Sequence, residues 1–393
     1  MDRRLWTIVL CGGAIMCFAL GFRQCLGLYL EPISQGHAGG RASFALGMGL
    51  MNLFWGLASP FSGAIADRYG AGRVAALGGV CYVLGLLALR LGGDGGQFIA
   101  GGILIGIGLS GCGFSVILGT VGRAAPERYR SMALGIATMG GSVGQFILLP
   151  YTHMTIAGLG WSLSLLVVAA TSALMVPLAW GVAGKPVAAG GQQSLREAFN
   201  EACAVPSYWL LNAGFFVCGF HLAFVGIHLP AYLHDRGFAP WLGVATLTLV
   251  GLFNCIGSYS WGVLGGRYSK KSLLSLLYLL RGGVFLLFLL FPASEFTVLA
   301  FGVAMGLLWL GTVPLTSGLI ATMFGTRYMS MLFGIVFLGH QAGGFLGAWL
   351  AGYLFDRTGS YDVMWWLCVL LGVLSALLHW PIRERSFSRF ATA

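Results

Sequence analysis

The sequence predicts an all-α membrane protein of twelve transmembrane helices in two pseudo-symmetric six-helix bundles. Its 393 residues are 58% hydrophobic and only 9% charged, with a mean hydropathy of +0.85, whereas a soluble domain carries about 25% charged residues. Twelve apolar stretches each approach the roughly 20 residues needed to cross a hydrocarbon layer ~30 Å thick. A repeat with an offset of 199 residues sorts them into two sets of six.

The stretches run at about 6–30, 42–65, 72–91, 97–121, 131–155, 162–183, 207–232, 241–265, 272–292, 296–323, 328–354 and 362–382. The first, in MDRRLWTIVLCGGAIMCFAL, starts like a signal peptide, but its apolar run exceeds a typical h-region and no small-residue cleavage site follows; it reads as a retained helix. The repeat shows as RYRSMALGI at 128–136 and RYMSMLFGI at 327–335, GAIADRYG at 63–70 and GVLGGRYS at 262–269, and Gly140 and Gly144 against Gly339 and Gly343. Residues 1–183 are therefore expected to form an N-terminal bundle and 207–393 a C-terminal one. Residues 184–206, rich in Gly, Pro and charge, read as a cytoplasmic linker ending in a short amphipathic segment. Two related six-helix halves suit a transporter that rocks about a midplane site.

A net charge of +10 raises the question of a nucleic-acid partner, and placement answers it. Of the 22 Lys and Arg, sixteen fall on the cytoplasmic side if the N-terminus is inside, four outside (Arg41, Arg90, Arg236, Arg357), and two are embedded (Arg23, Arg281). That asymmetry is the positive-inside pattern. It places both termini in the cytoplasm and the chain in the plasma membrane, the inner membrane in a bacterium, with lipid rather than nucleic acid as its partner. Eight of the nine cysteines lie within predicted helices, Cys203 lies in the linker, and no CxxC occurs, so neither disulfides, a metal nor another cofactor is implied. A functional monomer is the simplest expectation.

Glycine, at 63 residues, has about twice its usual share. GGILIGIGLSGCG in the fourth segment, Gly140 with Gly144, and Gly339, Gly343 and Gly347 give the spacing that lets membrane helices touch backbone to backbone.

The embedded polar residues are the candidate site. Arg281 stands in LLSLLYLLRGGVFLLFLLF, roughly 14 Å into the ninth segment at 1.5 Å per residue, and Arg23 roughly 10 Å inside the outer end of the first. A charge at the bilayer centre costs about 2.5 to 3.5 kcal/mol on insertion scales and marks a pathway. None of the twelve Asp and Glu is placed mid-span, the nearest being Glu31. Two embedded cations without counter-anions point to an anion arriving from outside. The alternatives are that Arg281 braces the eighth helix through a carbonyl or Asn254, and that Arg23 snorkels to the interface. His340, central in the eleventh segment, and His221 and His228, seven apart on one face of the seventh, are candidate proton-coupling groups or hydrogen-bonded helix ties. Asn52, Gln145, Tyr151, Asn254 and Gln341 complete the polar candidates.

Gly63, Asp67, Arg68, Gly70 and Arg73 resemble the signature between the second and third helices of the major facilitator superfamily, a resemblance that spans the whole chain. A carboxylate there can sit at the positive N-terminus of a helix in the other half and latch the bundles shut. Asp67 takes that role opposite the start of the eleventh helix near Arg327. Gly266 stands in the second copy, so the latch is expected to be one-sided.

Within the superfamily, GFRQCLGLYLEPI resembles the first helix of the bacterial monocarboxylate porters and of the oxalate/formate exchanger. The resemblance implies a small carboxylate as cargo. Those families use an arginine in the eighth helix, where FNCIGSYSWG offers Asn254 and Ser258, and the exchanger has a second basic residue where this chain has His340. Proton symport and exchange both stay open. Drug/proton antiporters carry an embedded arginine in the fourth helix and a Gly-Pro-Gly run in the fifth, and GIATMGGSVGQF lacks the proline. A non-transporting receptor on the same fold is the further alternative. An enzyme is not expected, since no HExxH, GxSxG or embedded acidic pair occurs.

Overall fold

The computed structural model describes residues 3–29, 32–33, 40–92, 96–183 and 193–387, which form helices and no strand. Glu31, residues 184–192 of the linker and the last six residues lie outside the described set. In chain order the helices are α1 (Arg3–Cys25), α2 (Gly40–Tyr69), α3 (Ala71–Leu91), α4 (Gly96–Cys112), α5 (Phe114–Ala124), α6 (Glu127–Ser172), α7 (Met175–Leu178) and α8 (Leu195–Cys203). The rest are α9 (Pro206–Asp235), α10 (Pro240–Leu264), α11 (Lys270–Leu290), α12 (Glu295–Leu308), α13 (Thr312–Phe324), α14 (Met329–Thr358) and α15 (Asp362–His379). Among the described residues ten helical stretches are long and apolar enough to cross a membrane. One of them, Glu127–Val182, divides at Gly160, whose φ of +76° only a residue without Cβ adopts freely. With that division and the 30-residue α2, each expected segment has its helix.

Two segments expected to be continuous are broken instead. The fourth stops at Cys112 and restarts at Phe114; the tenth stops at Leu308 and restarts at Thr312. At the 199-residue offset Gly113 maps onto Thr312, the first residue after the second break, so the two breaks fall within about a residue of corresponding places. In the second copy Pro314 lacks the N–H that a continuous helix would bond to residue 310.

The chain clusters into two compact units. The first comprises Met1–Pro126, Ile136–Gly191 and Thr326–Gly334; the second comprises Glu127–Gly135, Gln192–Gly325 and Ile335–Ala393. In the first unit, a Cβ on Gly63 would collide with the Ser330 carbonyl, and one on Gly334 would come within 2.6 Å of the Ser59 carbonyl. In the second, a Cβ on Gly262 or on Gly135 would stand 3.0 Å from the carbonyls of Ser131 and Ser258 respectively. All four residues of one set map onto the other at the same offset. Each unit thus repeats one backbone contact that larger side chains would break.

Outside the spans, α8 begins with a capping box: Ser194 accepts from Glu197 N at 3.2 Å and its own N–H reaches the Glu197 carboxylate at 2.6 Å. Those bonds hold the Glu197 carboxyl below the usual range. Beyond α15 the chain returns to α11. Glu384 accepts from Ser269 Oγ at 2.6 Å and from the backbone N–H groups of Lys270 and Lys271 at 3.1 and 3.3 Å. Its carboxylate meets the unpaired amides at the α11 N-terminus. Glu384→Ala is expected to cost about 1 kcal/mol, read as a lower midpoint in thermal unfolding of the detergent-solubilised protein.

Candidate functional site

In the first unit, Arg23 stands in the last turn of α1. Arg23 Nη2 donates to Asn52 Oδ1 at 2.7 Å, and its Cζ lies 5.0 Å from the centroid of the Trp55 ring. Among the described residues no Asp or Glu pairs with it, and its Nε makes no hydrogen bond. Tyr151 is tied to Thr171 Oγ1 at 2.8 Å and its ring meets Phe22 at 6.1 Å. Gln145 is half-buried on α6. Asn52 is thus directly joined to Arg23, while the polar end of Tyr151 is spent within its own bundle.

Arg281 is 0% exposed and lies differently from either expectation. Its Nη2 donates to the carbonyls of Leu308 and, at 2.8 Å, Trp309, and Nη1 approaches Cys218 Sγ at 3.5 Å. Those carbonyls end α12, where the break leaves them without helical partners. Asn254 works on the other side of the break, its Oδ1 accepting from Leu310 N at 3.0 Å and from Ser258 Oγ at 3.1 Å. The bracing of the eighth helix is therefore corrected: Arg281 and Asn254 both hold the break between α12 and α13.

The histidines divide in the same way. His221 Nε2 donates to the Cys368 carbonyl at 3.0 Å, and His228 bridges Tyr361 Oη at 3.2 Å and the Ala348 carbonyl at 2.9 Å. Both tie α9 to neighbouring helices. His340 is half-buried, stacked on Phe337 at 5.3 Å, with Nδ1 3.2 Å from Gln341 Oε1.

At the end of α2, the Asp67 carboxylate is buried, pairs with Arg123 and accepts from Ser330 N at 3.3 Å and Met331 N at 2.8 Å. Arg123 also donates to Ser330 Oγ at 3.1 Å. Arg327 lies over the Tyr328 ring and Arg68 over Tyr69, while Arg73 is exposed on α3. Gly70, with φ +97°, makes the turn into α3. Sequence reasoning missed Arg123, whose only signal is that it ends a span at the same predicted level as Asp67. It also missed Trp55, Cys218 and Thr312, which are apolar or neutral letters in apolar runs.

A duplicated six-helix membrane architecture with buried charges at the helix breaks and ends defines a transporter class, and the comparisons agree. The model of the Major Facilitator Superfamily matches residues 9–295 and 245–392. The chain belongs to that family and is a multi-pass membrane transporter of it. It is 26% identical to an uncharacterised MFS-type transporter, YcxA, of Bacillus subtilis, covering 96% of this chain and 95% of that one. It is also 26% identical to monocarboxylate transporter 13 of Rattus norvegicus, covering 95% and 89%. Among solved structures, the human organic anion transporter MFSD10 superposes with a TM-score of 0.79 at 16% identity, covering 96% of this chain and 99% of that one. The fucose:proton symporter FucP of E. coli gives 0.75 at 16%, with the same coverage. These two show the fold.

Proposed function

We propose that the chain carries a small organic anion, a monocarboxylate or related carboxylate, together with protons, by alternating access of its two bundles. The observation that carries this reading is the contrast between the two embedded arginines. Arg281 spends Nη2 on the chain's own carbonyls and Nη1 on the Cys218 sulfur, whereas Arg23 is oriented by one amide and one indole and pairs with no Asp or Glu among the described residues. A planar guanidinium presented in that way matches a carboxylate's two oxygens. Asn52 and Trp55 act as its positioning residues, and His340 on α14 is the titratable group of the second unit. The relatives named as monocarboxylate transporters support the same cargo class. Asp67 with Arg123 serves as the cytoplasmic latch, Gly63 and Gly70 shaping its approach, in a plasma membrane with both termini inside.

The test is uptake of labelled mono- and dicarboxylates into proteoliposomes, with and without an inward proton gradient. Arg23→Gln is expected to reduce uptake at least about 100-fold, the loss of one buried charge-assisted pair, while the thermal midpoint stays near wild type. Uptake unchanged in Arg23→Gln would remove the anion from that residue. No acid moving even in counterflow would reject the carboxylate class.

A further inference from the structure

The end of the second unit where α11 begins and α15 stops holds a recess that the proposed anion site does not use. Its volume is about 50 Å³, and Lys271, Ser272, Ser275 and Trp380 line it. That is several times the roughly 10–15 Å³ a single water requires. Two bonds join the helices beside it: Lys271 Nζ donates to the Trp380 carbonyl at 3.0 Å and Ser275 Oγ to the Ala376 carbonyl at 2.8 Å.

The repeat shows that packing alone does not require it. At the 199-residue offset Lys271, Ser272, Ser275 and Trp380 correspond to Gly72, Arg73, Ala76 and Gly181. A Cβ on Gly72 would stand 2.8 Å from Ala183 Cα, so the first copy closes this corner backbone to backbone. The second copy places a lysine and a tryptophan where the first has two glycines, and its corner stays open.

The charge of this corner is mostly of one sign. The entry to α11 and the chain after α15 carry Arg267, Lys270, Lys271, Arg383 and Arg385 against one carboxylate, Glu384. That carboxylate is already spent, with Lys270 Nζ 3.4 Å away and Ser269 Oγ and the first α11 amides donating to it. The helix N-terminus is thereby met, and the attraction for a further anion comes from Lys271, whose ammonium has three N–H donors and gives one to Trp380. Trp380 is 73% exposed at the helix end, as an interfacial tryptophan is. Deeper along the span, Leu276 and Leu279 continue the Ser272 and Ser275 face of α11, and Val373 and Leu377 the Trp380 face of α15. All four of these apolar side chains are exposed.

We propose that the recess binds the phosphate of an anionic phospholipid, with Lys271 as its charged donor, the Trp380 indole as its wall and the exposed apolar side chains of α11 and α15 as the track for the acyl chains. Charge complementarity selects the occupant. A phosphate matches a lysine point charge, whereas a zwitterionic headgroup brings a cation of its own to a corner that already carries five. The chain spans a bilayer, so such a lipid reaches the seam between α11 and α15 from the side. The site is independent of which cargo the chain moves.

The test is native mass spectrometry of the detergent-purified full chain in about 0.15 M volatile salt, where charges are screened beyond about 8 Å. The chain is titrated with phosphatidylglycerol or with phosphatidylcholine of the same acyl chains. Wild type is expected to retain one phosphatidylglycerol in preference to phosphatidylcholine. Lys271→Gln keeps a donor for the Trp380 carbonyl but loses the charge, and is expected to weaken phosphatidylglycerol binding about fivefold, the share of one basic residue at a lipid surface. Lys271→Arg restores the charge, and Arg196→Gln removes an exposed cation of α8 that does not line the recess; both are expected to stay within about twofold of wild type. Equal affinity of the wild type for the two lipids overturns the site without recourse to any variant, and so does wild-type affinity in Lys271→Gln. An equal loss in Lys271→Gln and Arg196→Gln overturns it too, marking the general attraction of a basic face. Displacement of the lipid by inorganic phosphate at equal concentration would give the recess to a free anion and overturn the lipid as its occupant.

Discussion

Arg281→Ala is expected to destabilise the second unit by several kcal/mol and to do so in the absence of any anion. The guanidinium makes two charge-assisted bonds to the terminal carbonyls of α12, and such bonds contribute about 1.5–3 kcal/mol each. Removing them leaves two buried carbonyls at a break that lipid cannot solvate. The same reasoning explains how an arginine survives in LLSLLYLLRGGVFLLFLLF: its charge is met by backbone dipoles, with the Tyr278 ring beneath it at 5.3 Å. The sequence leaves Arg281 open between meeting an anion and bracing a helix; the geometry ties its stabilising role to the helix break. Arg281→Lys, with one compact ammonium in place of a fork, should fall between wild type and alanine. Asn254→Ala should lower stability too, because Leu310 N then loses its acceptor. Thermal unfolding in detergent orders the variants. An Arg281→Ala protein with wild-type stability and no uptake would return the residue to the anion.

What the sequence disclosed, and what it hid, follows from where each interaction is written. The repeat was visible because side-chain letters recur at one offset, and the Gly63, Ser330, Gly262 and Ser131 contacts sit at the positions it relates. Asp67 was legible through the glycines around it. The breaks at Gly113 and at residues 309–311 were not, since hydropathy counts apolar side chains and is silent about which N–H and C=O groups are paired. Arg281, His221 and His379 share that difficulty: their partners are the backbone carbonyls of Leu308, Cys368 and Ser375, which no residue letter encodes. Arg123 and Glu384 are hidden for a different reason. They act on Asp67 and Lys270 across 56 and 114 residues of chain, and nothing local marks the pairing. Arg23, by contrast, was identified by its depth alone, and its neighbours Asn52 and Trp55 come from the next helix.

Asp67→Asn is expected to weaken the contact between the end of α2 and the start of α14 by about 3–5 kcal/mol, the usual cost of stripping one partner from a buried ion pair. α14 begins at Met329, so the N–H groups of Ser330 and Met331 have no intrahelical acceptor and are met by the carboxylate instead. The positive end of that helix and Arg123 both favour a full negative charge at this point. Asparagine keeps the shape but offers one neutral oxygen, and it leaves Arg123 without its ion pair. The repeat explains why no second residue compensates. Ser131 lies within α6, which begins at Glu127, so its amide is already bonded inside the helix, and Gly266 stands where a matching aspartate would be. Among the described residues, the Asp67 contacts therefore have no charged counterpart at the matching place of the second copy. On the alternating-access mechanism proposed above, a loss of that size shifts the conformational equilibrium by more than about 100-fold at 1.4 kcal/mol per tenfold. Maleimide labelling from the cytoplasmic side, at single cysteines engineered along the first turns of α6 and α14, should accelerate accordingly. Arg123→Gln should produce the same change, and the double variant little more, because the two groups act as one unit. Equal labelling rates in Asp67→Asn and wild type would show that the carboxylate has no part in controlling access there.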